Sequence, residues 1–565
     1  MRKHALLLAG ILVGCQVAPA AFALTLPGVV QPGRQRPIYS SPAEGTPLPT
    51  RPAETTSPEV KKPEVTGASF ILHQVHVTGM TVFAPADFEP AYSDFLNTRI
   101  DGRDITKIMH AIQRKYQTAG YLFATVTLPK QPIKHGRLVL EVHEGTMSRV
   151  VLSGITKPKA PLKAYAQRLQ AQKPVNIRGL ERAMLLMNDL PGVQVKGYMA
   201  PTPHTDDDNT LTLVGTEKKA GGYLELNNRG SRYLGPWQVA ADVWASQLFG
   251  RYSRTEAQMN FTPNMNRMRL YNITNTTPVG GNGMVLTGQI LHADSAPGYT
   301  LSDLDVESIN DTVSMGLRYP VLRTRARNLF LSVKAQAINT QTRSLGSKLS
   351  ADRLRVIRAG GSYDFVDAMR GITLVDVEAS AGLHMFGASA QGEGVFSRKN
   401  ANPQFTKVTA GFSRLQPLGE ASSLLVAAQG QYSFRPLPAA EEYGYGGSDF
   451  GRAYDSSEIT GDNGLAVKAE LRTTPDWLYS ATSLTNQSYL YSFADSGVVW
   501  NINRPGDGSE QTRATGSSVG VGLNLQFLHN TGLSVQVAQP VGRAVNTQQD
   551  EHNWPRVFVR LNHTF

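Results

Sequence analysis

The sequence predicts an all-β fold, a closed transmembrane barrel of sixteen antiparallel strands, preceded by two small α+β units. Three observations carry this. Strand-length segments with two-residue alternation fill residues 219–565, short turns and longer polar loops separate them in alternation, and residues 67–218 run twice through the order strand, helix, helix, strand, strand.

Residues 1–23, MRKHALLLAGILVGCQVAPAAFA, read as an export signal peptide: two cations, an apolar run, and Ala21-Phe22-Ala23 as a small-residue cleavage site. Leu12-Val13-Gly14-Cys15 also has the form of a lipoprotein processing site, which makes Cys15 an alternative point of lipidation. It is the only cysteine in the chain, so either reading leaves the mature protein without a disulfide, and a closed barrel needs none. No apolar run of about 18 residues follows, so no transmembrane helix is expected. Residues 24–66 are proline-rich with almost no periodic apolar positions; they cannot bury enough surface to offset chain entropy and read as a linker.

Residues 67–145 form the first unit. FILHQVHVTG alternates as a strand, APADFEPAYSDFLNTRI and ITKIMHAIQRKYQTAGY have helical spacing, and LFATVTLPKQPIKHGRLVLEVHEG returns as two strands. Ile105, Ile108, Met109, Ile112 and Tyr116 line one face of the second helix, and Gly120 stops it. His73 and His76 stand three apart in a strand and so face opposite sides, which argues for packing rather than a metal site. Residues 146–218 repeat the order through SRVVLSGI, PLKAYAQRLQAQ, RGLERAMLLMNDLPG, VQVKGYMA and NTLTLVGTEK. Asp206-Asp207-Asp208-Asn209 falls between two of these strands, as a hairpin turn rather than a calcium loop.

Strands alone follow, from GGYLELNNRGS to PRVFVRLNHTF, with turns such as the one at residues 278–283. In SVGVGLNLQFL, Val519, Val521, Leu523, Leu525 and Phe527 share one face; in the last strand Val557, Val559, Leu561 and Phe565 oppose Arg556, Arg560 and Asn562. A soluble sandwich also alternates. Strand lengths near ten, alternating loop lengths and a final aromatic residue favour a membrane barrel, in which closure satisfies every backbone group.

Formal charge is +11, from 56 basic and 45 acidic residues. Such a balance suits a surface or lumen that meets anionic lipid or polypeptide, and an exported chain meets little nucleic acid. In GLAVKAELR, Leu465, Val467, Ala469 and Leu471 take one face, so Glu470 points into the lumen. SYLYSFADSGVVW is ambiguous by pattern, but a charge on the lipid face costs up to a few kcal/mol near the midplane, which turns Asp495 and with it Phe493 inward. The long loop between residues 437 and 464 can fold back to these two carboxylates. Arg452, with Gly451 freeing the backbone to turn, is the cation to dock there as a bidentate partner; the alternative is a loop arginine in solvent.

The order of signal peptide, two units and sixteen-stranded barrel resembles the transporters of two-partner secretion, the family that exports haemolysins and filamentous haemagglutinins, within the wider superfamily of barrel-assembly proteins. Its paired units are of the polypeptide-transport-associated (POTRA) kind. Phe450-Gly451-Arg452-Ala453-Tyr454 is similar to the family's sixth-loop motif V/F-R-G-Y/F, Phe493-Ala494-Asp495 to its F-x-D, and Gly464 and Glu470 to the Gly and Glu of the preceding strand. The resemblance spans residues 66–565 and implies that Arg452 locks on Asp495. Ala453 departs from the usual glycine, which restricts the backbone while permitting ordinary dihedrals. Many relatives begin with a helix that plugs the barrel; the only candidate here, VVQPGRQRPIY, holds two prolines and makes a poor helix.

The resemblance implies a large secreted exoprotein as partner, captured unfolded and passed through the barrel without ATP. It also implies insertion by the barrel-assembly machinery, with Phe565 as the C-terminal signal, into outer-membrane lipid and lipopolysaccharide. No GxxxxGK[ST], H-E-x-x-H or G-x-S-x-G motif occurs, so neither an enzyme nor a cofactor or metal is expected. A barrel-assembly factor is the competing reading, although such factors commonly carry more than two POTRA units. A passive porin would have no use for residues 66–218.

Overall fold

A computed structural model describes residues 26–31, 33–34, 69–201, 208–502, 513–545 and 553–565, apart from positions 156, 251, 393, 480–483, 486 and 529. The segment expected to be a signal peptide, with Cys15, most of the expected linker, and Asp206 and Asp207 of the expected turn at 206–209 lie outside the described residues.

In the first unit, Gln74–Thr78 pairs in parallel with Arg137–His143, and Thr125–Thr127 pairs antiparallel on its other side. The second unit repeats this with Thr146–Ser153, Asp208–Glu217 and Val193–Pro201. Helix Gly102–Thr118 starts where the Asp101 carboxylate accepts from the N–H groups of Arg103 and Asp104 at 2.8 and 3.2 Å, a cap worth about 1 kcal/mol. It stops before Gly120, whose φ is 95°. Its buried stripe is Ile105, Ile108, Met109, Ile112 and Tyr116, as the spacing requires.

The first strand breaks into Phe70–Ile71 and Gln74–Thr78, the former pairing with Arg99–Ile100. His73 falls in the break, bonded to Asn97 at 3.0 Å, and both His73 and His76 are exposed rather than packed. The segment expected to be the first helix forms two 3-10 turns, Pro85–Ala91 and Ser93–Phe95, because Pro90 lacks a donor and its ring would clash with the preceding turn of an α-helix.

Sixteen strands run in chain order from Ala220–Asn227 to Arg556–Thr564, each antiparallel to the next, and the last pairs with the first. Lengths run from 8 to 20 residues rather than near ten. The longest, Ser347–Val366, pairs with Ile372–Gly382 only from Val356 onward, so its first half extends past that neighbour while staying paired with Arg327–Ser344, which is in turn paired with Glu307–Arg323. Ile290, Val313, Met315, Val333, Val521 and Val557 face outward and are exposed, the apolar band that lipid contact demands. The seam is short, five residue pairs from Arg560–Asn227 to Thr564–Tyr223. Phe565 finishes it by exchanging two backbone hydrogen bonds of 3.0 Å with Gly222; a side chain on Gly222 would strike the Phe565 ring.

The second unit is bolted to the near end of the barrel. Tyr252, fully buried, inserts from a barrel turn into that unit's core. Arg323 gives Asp189 two bonds, Nε to Oδ2 at 2.8 Å and Nη2 to Oδ1 at 2.7 Å, and Arg182 donates to the Pro320 carbonyl at 2.7 Å.

Candidate functional site

Pairing of Asn463–Thr473 with Tyr489–Trp500 sets Lys468 opposite Asp495 and Glu470 opposite Phe493. Glu470 and Asp495 are therefore diagonal neighbours on the inner face. Both are buried, as is Phe493, and all three face the lumen, the side that the cost of a charge in lipid requires.

Residues 434–462, the loop between the eleventh and twelfth strands, fold back into the lumen as a hairpin, Tyr443–Tyr445 with Ile459–Gly461. Beyond the hairpin's first strand, Gly451 takes φ 74° and turns its N–H onto Asp495 Oδ1 at 2.8 Å. The next residue, Arg452, enters between the two acids. Its Nε donates to Asp495 Oδ2 at 3.3 Å, its Nη1 to Glu470 Oε2, and its guanidinium lies 3.5 Å from the Phe493 ring centre. The arginine is thus shared by two carboxylates rather than bidentate to one, because the diagonal spacing leaves one guanidinium edge for each. The F-x-D pattern has a plain reason: residues two apart share a face, so Phe493 supplies the stacking surface beside the Asp495 charge.

Neither acid is left short. Glu470 Oε1 takes Arg472 Nε at 2.8 Å. Asp495 Oδ1 also accepts from Tyr445 Oη at 3.0 Å and from Ser518 Oγ. Tyr454 reaches past the site and donates from Oη to the Arg543 carbonyl at 3.0 Å. Gly464 is needed for space, since a side chain there would collide with the Tyr443 ring. Ala453 is fully buried and has no positive φ, so the departure from glycine is accommodated.

Sequence reading missed several members. Tyr445 lies over Gly497 and Gly516, paired across neighbouring strands, where any side chain would meet its ring. Two inward glycines on adjacent strands are a legible mark of a groove for an aromatic side chain. A second cluster was also missed. Glu441 receives Arg358 Nη2 at 2.6 Å and Lys407 Nζ at 2.8 Å; Glu442 receives Arg34 Nη2 at 3.0 Å and Arg398 Nε at 3.1 Å. Burial would push the Glu441 carboxyl up, but the Lys407 ammonium and the Arg358 guanidinium outweigh it and hold it at about 2.

Arg34 belongs to the segment considered as a plug. Its described part has a single 3-10 turn, Gly28–Val30, and no α-helix, in keeping with its prolines. Val30 is fully buried against Tyr233, Leu234, Met268 and Leu301, so these residues sit among the barrel's far-end loops. Every contact described here between the loop and the lumen wall is a hydrogen bond, an ion pair or a packing contact.

The family described as haemolysin secretion/activation protein ShlB/FhaC/HecB matches residues 212–523, and a ShlB-type POTRA domain matches residues 70–145. The chain is 20% identical over 500 residues to the heme/hemopexin transporter protein HuxB of Haemophilus influenzae, covering 86% of each. It is 22% identical over 515 residues to the outer membrane transporter CdiB of Dickeya dadantii, covering 86% of this chain and 85% of that one. Among solved structures it is similar to CdiB from Escherichia coli, with a TM-score of 0.72 at 19% identity over 90% of this chain and 93% of that one. At that identity the structural likeness speaks to fold.

Proposed function

The chain belongs to the haemolysin secretion/activation family, the transporters of two-partner secretion, and on that premise we propose how it moves its secreted partner. The two POTRA units stand in the periplasm and capture an unfolded exoprotein. Their edge strands, among them Gln74–Thr78 and Val193–Pro201, accept an extended segment as an added strand, so main-chain hydrogen bonds supply affinity without demanding one sequence. The exoprotein then threads the outer-membrane barrel and folds outside, and that folding drives export in place of ATP. The exported chain is an adhesin, haemolysin or contact-dependent toxin.

The observation that carries this reading is the loop 434–462 lying inside the lumen. Gly451, Arg452, Tyr454, Gly464, Glu470, Phe493 and Asp495 form a conformational lock that keeps the loop in a defined place while the pore opens and closes. Phe565 is the mark by which the barrel-assembly machinery inserts the chain into lipid and lipopolysaccharide.

The test compares surface and culture-fluid proteins with outer-membrane proteins, in cells with the gene, without it, and with Arg452→Ala. Loss of one large exoprotein, with other barrels intact, is expected in both altered strains. General depletion of barrel proteins would identify an assembly factor instead, and unchanged exported proteins would leave a porin.

A further inference from the structure

Beside the lock the lumen holds a cavity of about 180 Å³, room for about six waters or one small anion with its nearest waters. Five cations line it, Arg229, Arg452, Lys468, Arg472 and Arg560, against the single carboxylate of Glu470. Arg452 and Arg472 already share that carboxylate. Among the described residues, Arg229, Lys468 and Arg560 have no carboxylate oxygen within 4.0 Å. Arg229 meets only neutral groups, donating to Gln536 Oε1 at 3.0 Å and stacking on Phe558 at 4.4 Å.

A second observation points the same way. Arg452 Nη2 and Gln536 Nε2 are buried with no hydrogen-bond partner among the described residues, and both residues line this cavity. Each is a donor only. Buried donors without acceptors are costly, and so is an excess of like charge in one place, here five cations lining the cavity with one carboxylate among them. An oxyanion remedies both at once, because it brings charge and several acceptor oxygens.

We propose that the cavity is an oxyanion site, taking one phosphate or carboxylate group between Arg229, Lys468 and Arg560, with Arg452 Nη2 and Gln536 Nε2 as hydrogen-bond donors. Since Arg452 belongs to both cavity and lock, occupancy favours the docked loop. The site is independent of which protein is exported.

The experiment is calorimetric titration of the purified full-length chain in detergent with sodium phosphate, ionic strength being held constant with sodium chloride. Saturable heat at one phosphate per chain is expected, with a thermal midpoint that rises along the same curve. The Lys468→Met/Arg560→Gln variant should weaken binding at least tenfold. Should that variant fail to fold, Arg560→Gln alone should weaken it measurably. Heat that never saturates, or that a folded variant reproduces unchanged, would overturn the site. Sodium acetate run in parallel assigns the occupant: saturation by both anions identifies a site an acidic side chain can fill, and saturation by phosphate alone identifies a phosphate site.

Discussion

Arg452 works as an arginine and not merely as a cation. Its planar fork spans two carboxylates on neighbouring strands while its face stacks on Phe493, which an ammonium cannot do at once. Lysine at this position would serve one acid only and give up the stack on Phe493. The other acid would keep its remaining partners, Arg472 for Glu470 or Gly451, Tyr445 and Ser518 for Asp495, so the loss is one charge-assisted hydrogen bond, about 1.5–3 kcal/mol. Arg452→Lys is therefore expected to raise the open fraction of loop 434–462 by roughly ten- to a hundredfold. Protease cleavage within that loop in the purified protein should accelerate to match, while the barrel's circular dichroism stays unchanged.

At the scale of the element, the loop is held from two sides with opposite polarity. It sends a cation into an acidic wall at Glu470 and Asp495, and an acid, Glu441, into a basic wall at Arg358 and Lys407. The second contact gives the loop an acid limit. The Glu441 carboxyl is held at about 2 in the docked loop against an ordinary 4.5. A carboxyl depressed in this way stabilises docking fully above its free value and stops doing so as pH falls through the docked one. The window is pH 4.5 down to about 2, and roughly 3 kcal/mol is lost across it. Hydrogen exchange in residues 434–462 should rise through that window, and Glu441→Gln should remove this part of the dependence.

In the whole molecule, buried contacts join the second α+β unit to the barrel. Tyr252 is seated in the second unit's core, and Arg323, 1% exposed, is paired with Asp189. Asp189→Asn leaves that guanidinium buried without its counter-charge, at a cost of about 3–5 kcal/mol to the docked arrangement. Spin-label distances between the second POTRA unit and the barrel should broaden in this variant, with both parts still folded. The sequence carried more of this architecture than of the site. Strict alternation from Val519 to Phe527 determined an outward apolar face, Ile105 to Tyr116 a buried helical stripe, and the repeated strand–helix order two matching units, because periodicity is a local property that burial on one side imposes on any strand or helix. The inward sense of Asp495 also followed locally, from the cost of a charge in lipid. Only the tertiary structure decided that Arg452 is shared between Glu470 and Asp495, that Tyr445 fills the groove over Gly497 and Gly516, and that Glu441 crosses to Arg358 and Lys407. These groups come from separate strands and a folded-back loop and meet across a lumen, a distance that no spacing along the chain encodes.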